Sequence, residues 1–345
     1  MAVDDNKVIG IFNIIVIVVS IPSNALILLT MTLNKKLRSP TNLLVGNLSI
    51  ASLAIAIFRM PVKTYELFHP KQGFPFGNSI GMCRFQQILP SASVFCISLT
   101  LTTICVDRYI AIMHPMKQHL KLSLRKVYIF IPCSWIVSFA CFGVYASYMA
   151  TIEVGPAVYC LPIYPPGPAD IFVRNATGYV MATYRGTKVS LWACFIIFAF
   201  LIPSAVMTVL YSITARFLWS RTGPGDKITT VRVSETRRRL QQKRRVVGIL
   251  IACCVIFIGV NLPYYFLFML LDLGQIVIPN VGFVVNLLIL INLSCIVYNP
   301  VIYGFFNPSI RISIANLLRR VVGIEPQRMR ATTATSVVNG PSSYK

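Results

Sequence analysis

Seven long stretches of this chain carry no charge at all, and that pattern limits what it can fold into. The apolar runs cover residues 8–31, 41–58, 85–106, 127–152, 189–215, 246–271 and 273–310. A helix needs about 20 apolar residues to cross the hydrocarbon core of a bilayer. Each of the first six runs fits one span, the second extending past Arg59. The seventh is too long for a straight span and is expected to begin at Pro279 and Asn280. The expectation is an all-α bundle of seven transmembrane helices. Composition points the same way, with 12% charged residues against roughly 25% in a soluble domain. Ten acidic residues cannot clothe a water-facing surface of this size, which excludes a soluble enzyme, a secreted disulfide scaffold and a disordered chain.

Orientation follows from where Lys and Arg fall. With Met1 outside, the segments 32–40, 107–126, 216–245 and 304–345 lie on the opposite side and hold 24 of the 32 basic residues. The net charge is then +20 on that side and +2 on the other, so the N-terminus is expected outside and the C-terminus in the cytoplasm. The short acidic start, Met1 to Lys7, gives no signal peptide, and the first span is expected to serve as its own anchor. Basic residues from Arg237 to Arg245 would suit phosphates in a soluble protein. At the cytoplasmic end of a span they are attracted by anionic lipid instead, so membrane lipid is an expected partner and nucleic acid is not. The domain reading is an extracellular N-terminus over 1–7, a membrane domain over 8–306, an amphipathic surface helix over 307–320 and a disordered tail over 321–345. Ile310, Ile314 and Leu317 opposite Arg311, Arg319 and Arg320 fit that surface helix. There is no internal repeat of the kind transporters carry.

Several residues stand out inside this frame. Asp107-Arg108-Tyr109 closes the third run; alone it reads as an ion pair at a helix end or as a charged switch. Asn299-Pro300-Val301-Ile302-Tyr303 lies near the end of the seventh. There the proline removes a helix hydrogen bond, and the asparagine can satisfy the freed backbone. Pro203 and Pro263 place two further bends. Cys83 and Cys160 both fall on the oxidising side, where a disulfide is chemically allowed and two free thiols are the alternative. Asn175-Ala176-Thr177 is a glycosylation acceptor, while Asn47-Leu48-Ser49 and Asn292-Leu293-Ser294 match the pattern inside spans and are discounted. No Cys/His cluster points to a metal, and no nucleophile motif or pair of buried acids points to an enzyme.

Together these positions resemble the rhodopsin-like (class A) G-protein-coupled receptors over about 8–320, with a leaning toward neuropeptide receptors. The matching residues are Asn24, Asn47-Leu48, Cys83, Asp107-Arg108-Tyr109, His114-Pro115, Trp135, Pro203 with Tyr211, Pro263, and Asn299-Pro300-x-x-Tyr303; Phe74-Pro75-Phe76-Gly77 matches the first outer loop. The resemblance implies a Cys83–Cys160 disulfide. It implies a coupling switch of Asp107, Arg108, Tyr109, Tyr211, Lys243, Asn299, Pro300 and Tyr303, and a helix-six hinge at Phe257, Asn261 and Pro263. It also implies a heterotrimeric G protein and arrestin as partners, no cofactor, and a place in the plasma membrane.

The chain departs from the family pattern at informative places. Ser52 stands where an acid is usual in helix two and Ile97 near where helix three usually has Ser, so ligands for a hard cation are missing. Asn261 stands where Trp is usual, and Lys243 where an acid often locks the triplet arginine. Pro90 and Leu293 replace the amine-binding Asp and the retinal-binding Lys, so the expected ligand is a peptide. The alternatives are a small anionic metabolite or lipid, or a receptor active without ligand. Ligand-binding candidates are Arg59, Lys63, Arg84, Gln87 and Tyr264. Arg59 draws most attention, because acids at its depth are scarce, Glu66 lying three residues past Lys63 and nearer the outer surface. Apart from Arg59 the uncharged spans hold no ionisable path, which speaks against a transporter or channel.

Overall fold

The computed structural model describes residues 5–167, 170–174, 180–220, 230–276, 278–302 and 308–323. Among the described residues, seven helices are long and apolar enough to cross a membrane. These are α1 (Asp5–Leu33), α2 (Pro40–Phe68), α3 (Ile80–Met113), α4 (Leu124–Ser147), α5 (Gly186–Ser220), α6 (230–272) and α7 (Val281–Pro300). A shorter helix, α8 (Pro308–Val321), follows. Between α4 and α5 lie two antiparallel hairpins, β1 (Met149–Val154) with β2 (Ala157–Pro162) and β3 (Ile171–Arg174) with β4 (Val180–Tyr184).

The helix starts follow from local chemistry. Ser39, Ser79 and Ser123 sit in extended backbone, and each side chain accepts from an amide three residues on, satisfying a donor that a helix N-terminus leaves free. Pro40 occupies the first turn, where its missing N–H costs nothing. Large apolar residues such as Val18, Ile136 and Val255 point outward. In lipid that exposure is favourable, so close packing and polar links hold the helices together.

The prolines explain where the links form. Pro203 has no N–H to give the carbonyl four residues earlier, and that carbonyl, Ala199 O, accepts from Ser98 Oγ of α3 at 3.0 Å. Pro300 frees Ile296 O in the same way, and α1 answers with Asn24 Nδ2 at 3.0 Å and Ser20 Oγ at 3.3 Å. Asn47 joins three helices, donating to Thr100 Oγ1 of α3 at 2.9 Å and accepting from Trp135 Nε1 of α4 at 2.9 Å.

One boundary follows the sequence reading and one differs from it. Helix α2 continues from its uncharged run through Arg59, Lys63 and Glu66 to Phe68, because the charges pair with one another. Helix α4 stops at Ser147, and Met149 to Ile152, the end of the uncharged run, open strand β1. Hydropathy cannot separate a short buried strand from the last turn of a helix.

Candidate functional site

Three wide π turns interrupt the helices near one end of the bundle: Ile55–Arg59 in α2, Phe195–Leu201 in α5 and Tyr264–Phe268 in α6. Such turns shift the angular register of everything after them and recur at functional sites. Here they turn Arg59, Phe195, Tyr264 and Tyr265 into a cavity of about 610 Å³. Its rim includes Tyr159, Cys160 and Leu161 of β2. That strand is fixed by the Cys83–Cys160 disulfide and by Phe74 N donating to Val158 O at 2.7 Å. Gly73 makes the contact possible. Its φ of +71° disfavours a side chain, and a Cβ would lie 2.2 Å from Val158 O.

The charges lining the cavity are arranged in two groups. On α2, Glu66 lies 3.8 Å from Arg59 Nη1 and 3.3 Å from Lys63 Nζ. Glu66, which the sequence places three residues past Lys63 and toward the outer surface, thus reaches both cations. One carboxylate serves two cations, and Arg59, only 7% exposed, keeps Nη1 without a hydrogen bond. Burial of charge is costly unless it is fully paired, so this corner retains a net positive charge that an anion would relieve. Across the cavity Asp272 accepts from Trp192 Nε1 at 2.8 Å and pairs with Lys188 Nζ at 3.0 Å. Both groups have aromatic neighbours, Tyr145, Tyr164 and Tyr264 among them. Burial raises the Tyr164 hydroxyl above its ordinary range, leaving a neutral donor at the rim.

Nearby, Asp170 accepts from Arg185 Nη1 at 2.6 Å, Gly186 N at 3.0 Å and Gly167 N at 3.2 Å. Arg185 first, and then those amides, hold its carboxyl below the ordinary 3.8. This tie fastens the loop to the start of α5.

Of the ligand candidates, Arg59, Lys63, Gln87 and Tyr264 line the cavity. Arg84 does not: it is turned aside, donating to Ser147 O at 3.2 Å and Met149 O at 3.4 Å. Carbonyls at a helix C-terminus lack intrahelical partners, and a nearby guanidinium is drawn to them. Glu66, Lys188, Trp192, Asp272, Asn286 and Asn292 were not among the sequence candidates. Glu66 was legible in principle, since spacings of three and seven from Lys63 and Arg59 share a helix face; Asp272 and Lys188 meet only through the fold.

At the opposite end, Arg108 Nη2 lies 3.4 Å from Asp107 Oδ2 and donates to Thr41 Oγ1. Thr41 Oγ1 donates to Asp107 at 3.2 Å. The arginine is therefore held toward α2, and Lys243 on α6 is exposed. Arg244 instead donates to Leu218 O of α5 from Nε at 3.1 Å and Nη2 at 2.9 Å. Tyr109 packs edge-on against His114. Tyr211 and Phe257 are in the core, Asn299 and Pro300 are buried in α7, and Pro263 precedes the third π turn. Tyr303 and Asn175 lie outside the described residues.

The rhodopsin-family model of seven-transmembrane receptors matches residues 23–303. The chain belongs to that family. The receptor is therefore a multi-pass membrane protein. Its curated relatives include the neuromedin-K receptor of Homo sapiens, 27% identical over 88% of this chain and 60% of that protein. The allatostatin-A receptor of Bombyx mori is 26% identical over 98% of this chain and 88% of its own length. The substance-P receptor of Meriones unguiculatus is 25% identical over 88% and 69%. The receptor thus spans about 60% of the length of the neuromedin-K receptors it matches.

Proposed function

We propose that this chain is a plasma-membrane receptor, N-terminus outside, that converts binding of an extracellular peptide into activation of a heterotrimeric G protein. The observation that carries the reading is the cavity. It is wide enough for several side chains, rimmed by a tethered hairpin, and lined by a cationic corner facing an acid–aromatic corner. A peptide presents charged, aromatic and amide groups together, which this lining can match. Relatives that are neuropeptide receptors support the same class, and the Lys and Arg distribution supports the orientation.

The mechanism is a choice between two packings. In one, Thr41 and Asp107 hold Arg108; in the other, α6 has moved about Pro263 and Arg108 is presented to the G protein. Tyr211 and Tyr303 brace the second packing. A ligand shifts the balance only by binding that second packing more tightly, about 1.4 kcal/mol for each tenfold bias. Arg59 receives an acidic or carbonyl-rich group of the peptide, a geometry its planar fork favours. The membrane domain over 8–306 continues into the 307–320 helix on the cytoplasmic lipid surface and a 321–345 tail that meets arrestin.

The test is a panel of peptides applied to cells expressing the full chain, read by nucleotide exchange on co-expressed heterotrimers. A peptide that raises exchange only in expressing cells supports the proposal. Activation by anionic metabolites or lipids alone, with every peptide silent, overturns the ligand class.

A further inference from the structure

At the outer end of α6, the carboxylate of Asp272 borders the cavity with acceptor capacity to spare. Its Oδ2 accepts from Trp192 Nε1 at 2.8 Å and its Oδ1 pairs with Lys188 Nζ at 3.0 Å, whereas an ionised carboxylate offers about four acceptor sites. The Lys188 ammonium has a second anchor, donating to the backbone carbonyl of Asp272 at 2.6 Å. That carbonyl closes a helix and has no intrahelical partner. Asp272 and Trp192 are among the residues that line the cavity, and Lys188 is not. Along the same wall Trp192 stands edge-on to Phe268 at 5.6 Å, and Phe268 is tilted against Tyr264 at 5.3 Å. All three rings line the cavity, and ring faces attract a cation, guanidinium more often than ammonium.

The two charged corners differ in depth. Asp272 is the last residue of α6, while Arg59 lies nine residues before the end of α2 at Phe68. At the rise of an α-helix that places Arg59 about 13 Å further in, the reach of about four extended residues. The lining is thus a dipole, positive deep inside and negative at the mouth.

We infer that Asp272 is the subsite for a basic group of the ligand, and that the receptor selects a peptide carrying this group about four residues from the acidic or carboxyl-bearing residue held at Arg59. The inference rests on the peptide-receptor reading and narrows it to a class of sequence. Arginine suits the subsite better than lysine, because its planar fork can bind the carboxylate and lie on a ring face at once. Lys188 is the incumbent, a tethered ammonium beside the place the ligand's cation takes. Glu66 shows that one carboxylate in this cavity serves two cations, so the ligand need not expel Lys188, which keeps the helix carbonyl as its acceptor. Two cations on one carboxylate still repel, so Lys188 competes with the ligand. Removing it tightens the subsite. A clasp that merely joined α5 to α6 would give the reverse.

The full chain in lipid nanodiscs is incubated with a pool of synthetic octapeptides, each with one arginine and a free C-terminal carboxylate, at every separation the length allows. Retained peptides are identified by mass spectrometry, and enrichment is expected at separations of about four residues. The best of them is then compared with its citrulline analogue, neutral and of the same shape, in the parent, Asp272→Asn and Lys188→Gln. Replacing arginine by citrulline should weaken binding tenfold or more in the parent, the scale of a charged hydrogen bond, and less than twofold in Asp272→Asn. Lys188→Gln should bind the arginine form severalfold more tightly than the parent does. Unchanged affinity of Asp272→Asn for the citrulline form shows that this variant keeps its cavity. Equal citrulline losses in the parent and Asp272→Asn, or weaker binding of the arginine form by Lys188→Gln, overturn the subsite and leave the peptide reading standing. Equal enrichment at every separation overturns the spacing. If the parent retains no peptide of the pool, the peptide reading falls and the subsite falls with it.

Discussion

At the cavity end, the chain is held by a covalent bond, a strand contact through Gly73 and buried charges that share partners. At the Arg108 end, the restraints are a threonine hydroxyl, one adjacent carboxylate and a carbonyl that accepts from Arg244. The first kind is lost only at a cost of several kcal/mol. The second gives way for about 1 kcal/mol per bond. A bundle built this way keeps the shape of one end while the other exchanges partners. The asymmetry lies in the chemistry of the restraints, since both ends use the same helices.

The strongest way to break the comparison is at the disulfide. Cys83→Ser releases a closure spanning 77 residues, worth about 2–4 kcal/mol, and is expected to cut the surface-expressed fraction severalfold by flow cytometry. Normal expression, or peptide mapping that finds both thiols free in the parent, would show that the cavity end is not pinned covalently.

Next is the cationic corner. With an agonist bearing an acidic group, Arg59→Ala should weaken binding by tenfold or more, in line with about 1.5–3 kcal/mol for a charged hydrogen bond. Neutralising that group on the ligand should then cost much less in the variant than in the parent. Equal losses in both would mean that Arg59 and the anion do not meet.

At the other end the expected changes are smaller. Lys243→Glu supplies an acid that competes with Thr41 and Asp107 for Arg108, and should lower ligand-free exchange about two- to fivefold, the scale of a partly exposed ion pair. Unchanged basal output would assign Lys243 to solvent alone.

Smaller still is a pH effect at Asp170. Its carboxyl is held below 3.8 by Arg185 and two amides, so the tie is complete above the ordinary carboxylate value and is lost as pH falls through the lowered one. Ligand affinity should be flat from pH 8 to 5 and decline only in stronger acid, and Asp170→Asn should remove that decline. A decline already present near pH 6 would point to another group.

No effect is expected from sodium at fixed ionic strength, because Ser52 and buried Ile97 replace hard-cation ligands. A shift in agonist affinity specific to sodium would contradict this.

The seven spans were legible because an uncharged run of the right length has few alternatives in a bilayer. Their ends were less so. The second span reads as extending past Arg59, and the pairing of Glu66 with Arg59 and Lys63 shows how the helix carries its charges on to Phe68. Met149 to Ile152 looked helical, and only pairing with β2 shows them to be a strand. The triplet, the disulfide partners and Pro263 were found by pattern. Asp272, Lys188 and Trp192 were not, since they converge from two helices and no spacing links them. The π turns left no sequence signal beyond nearby prolines, and they decide which side chains face the cavity. Asn292 was set aside as a false glycosylation site and proved to be a buried partner of Asn261.

The carbonyl of Ile296 has a consequence for how the molecule is made. Its donors, Ser20 and Asn24, belong to α1, whereas Pro300 belongs to α7, which leaves the ribosome much later. Until α7 is inserted, those two polar side chains face lipid or a temporary neighbour, although Asn13 already ties α1 to α2 through Met60 O. The α1 contact is therefore completed only when α7 arrives. A chain cut short before α7 lacks the acceptor that α1 is built to meet, and it offers quality control an exposed polar pair by which to recognise it.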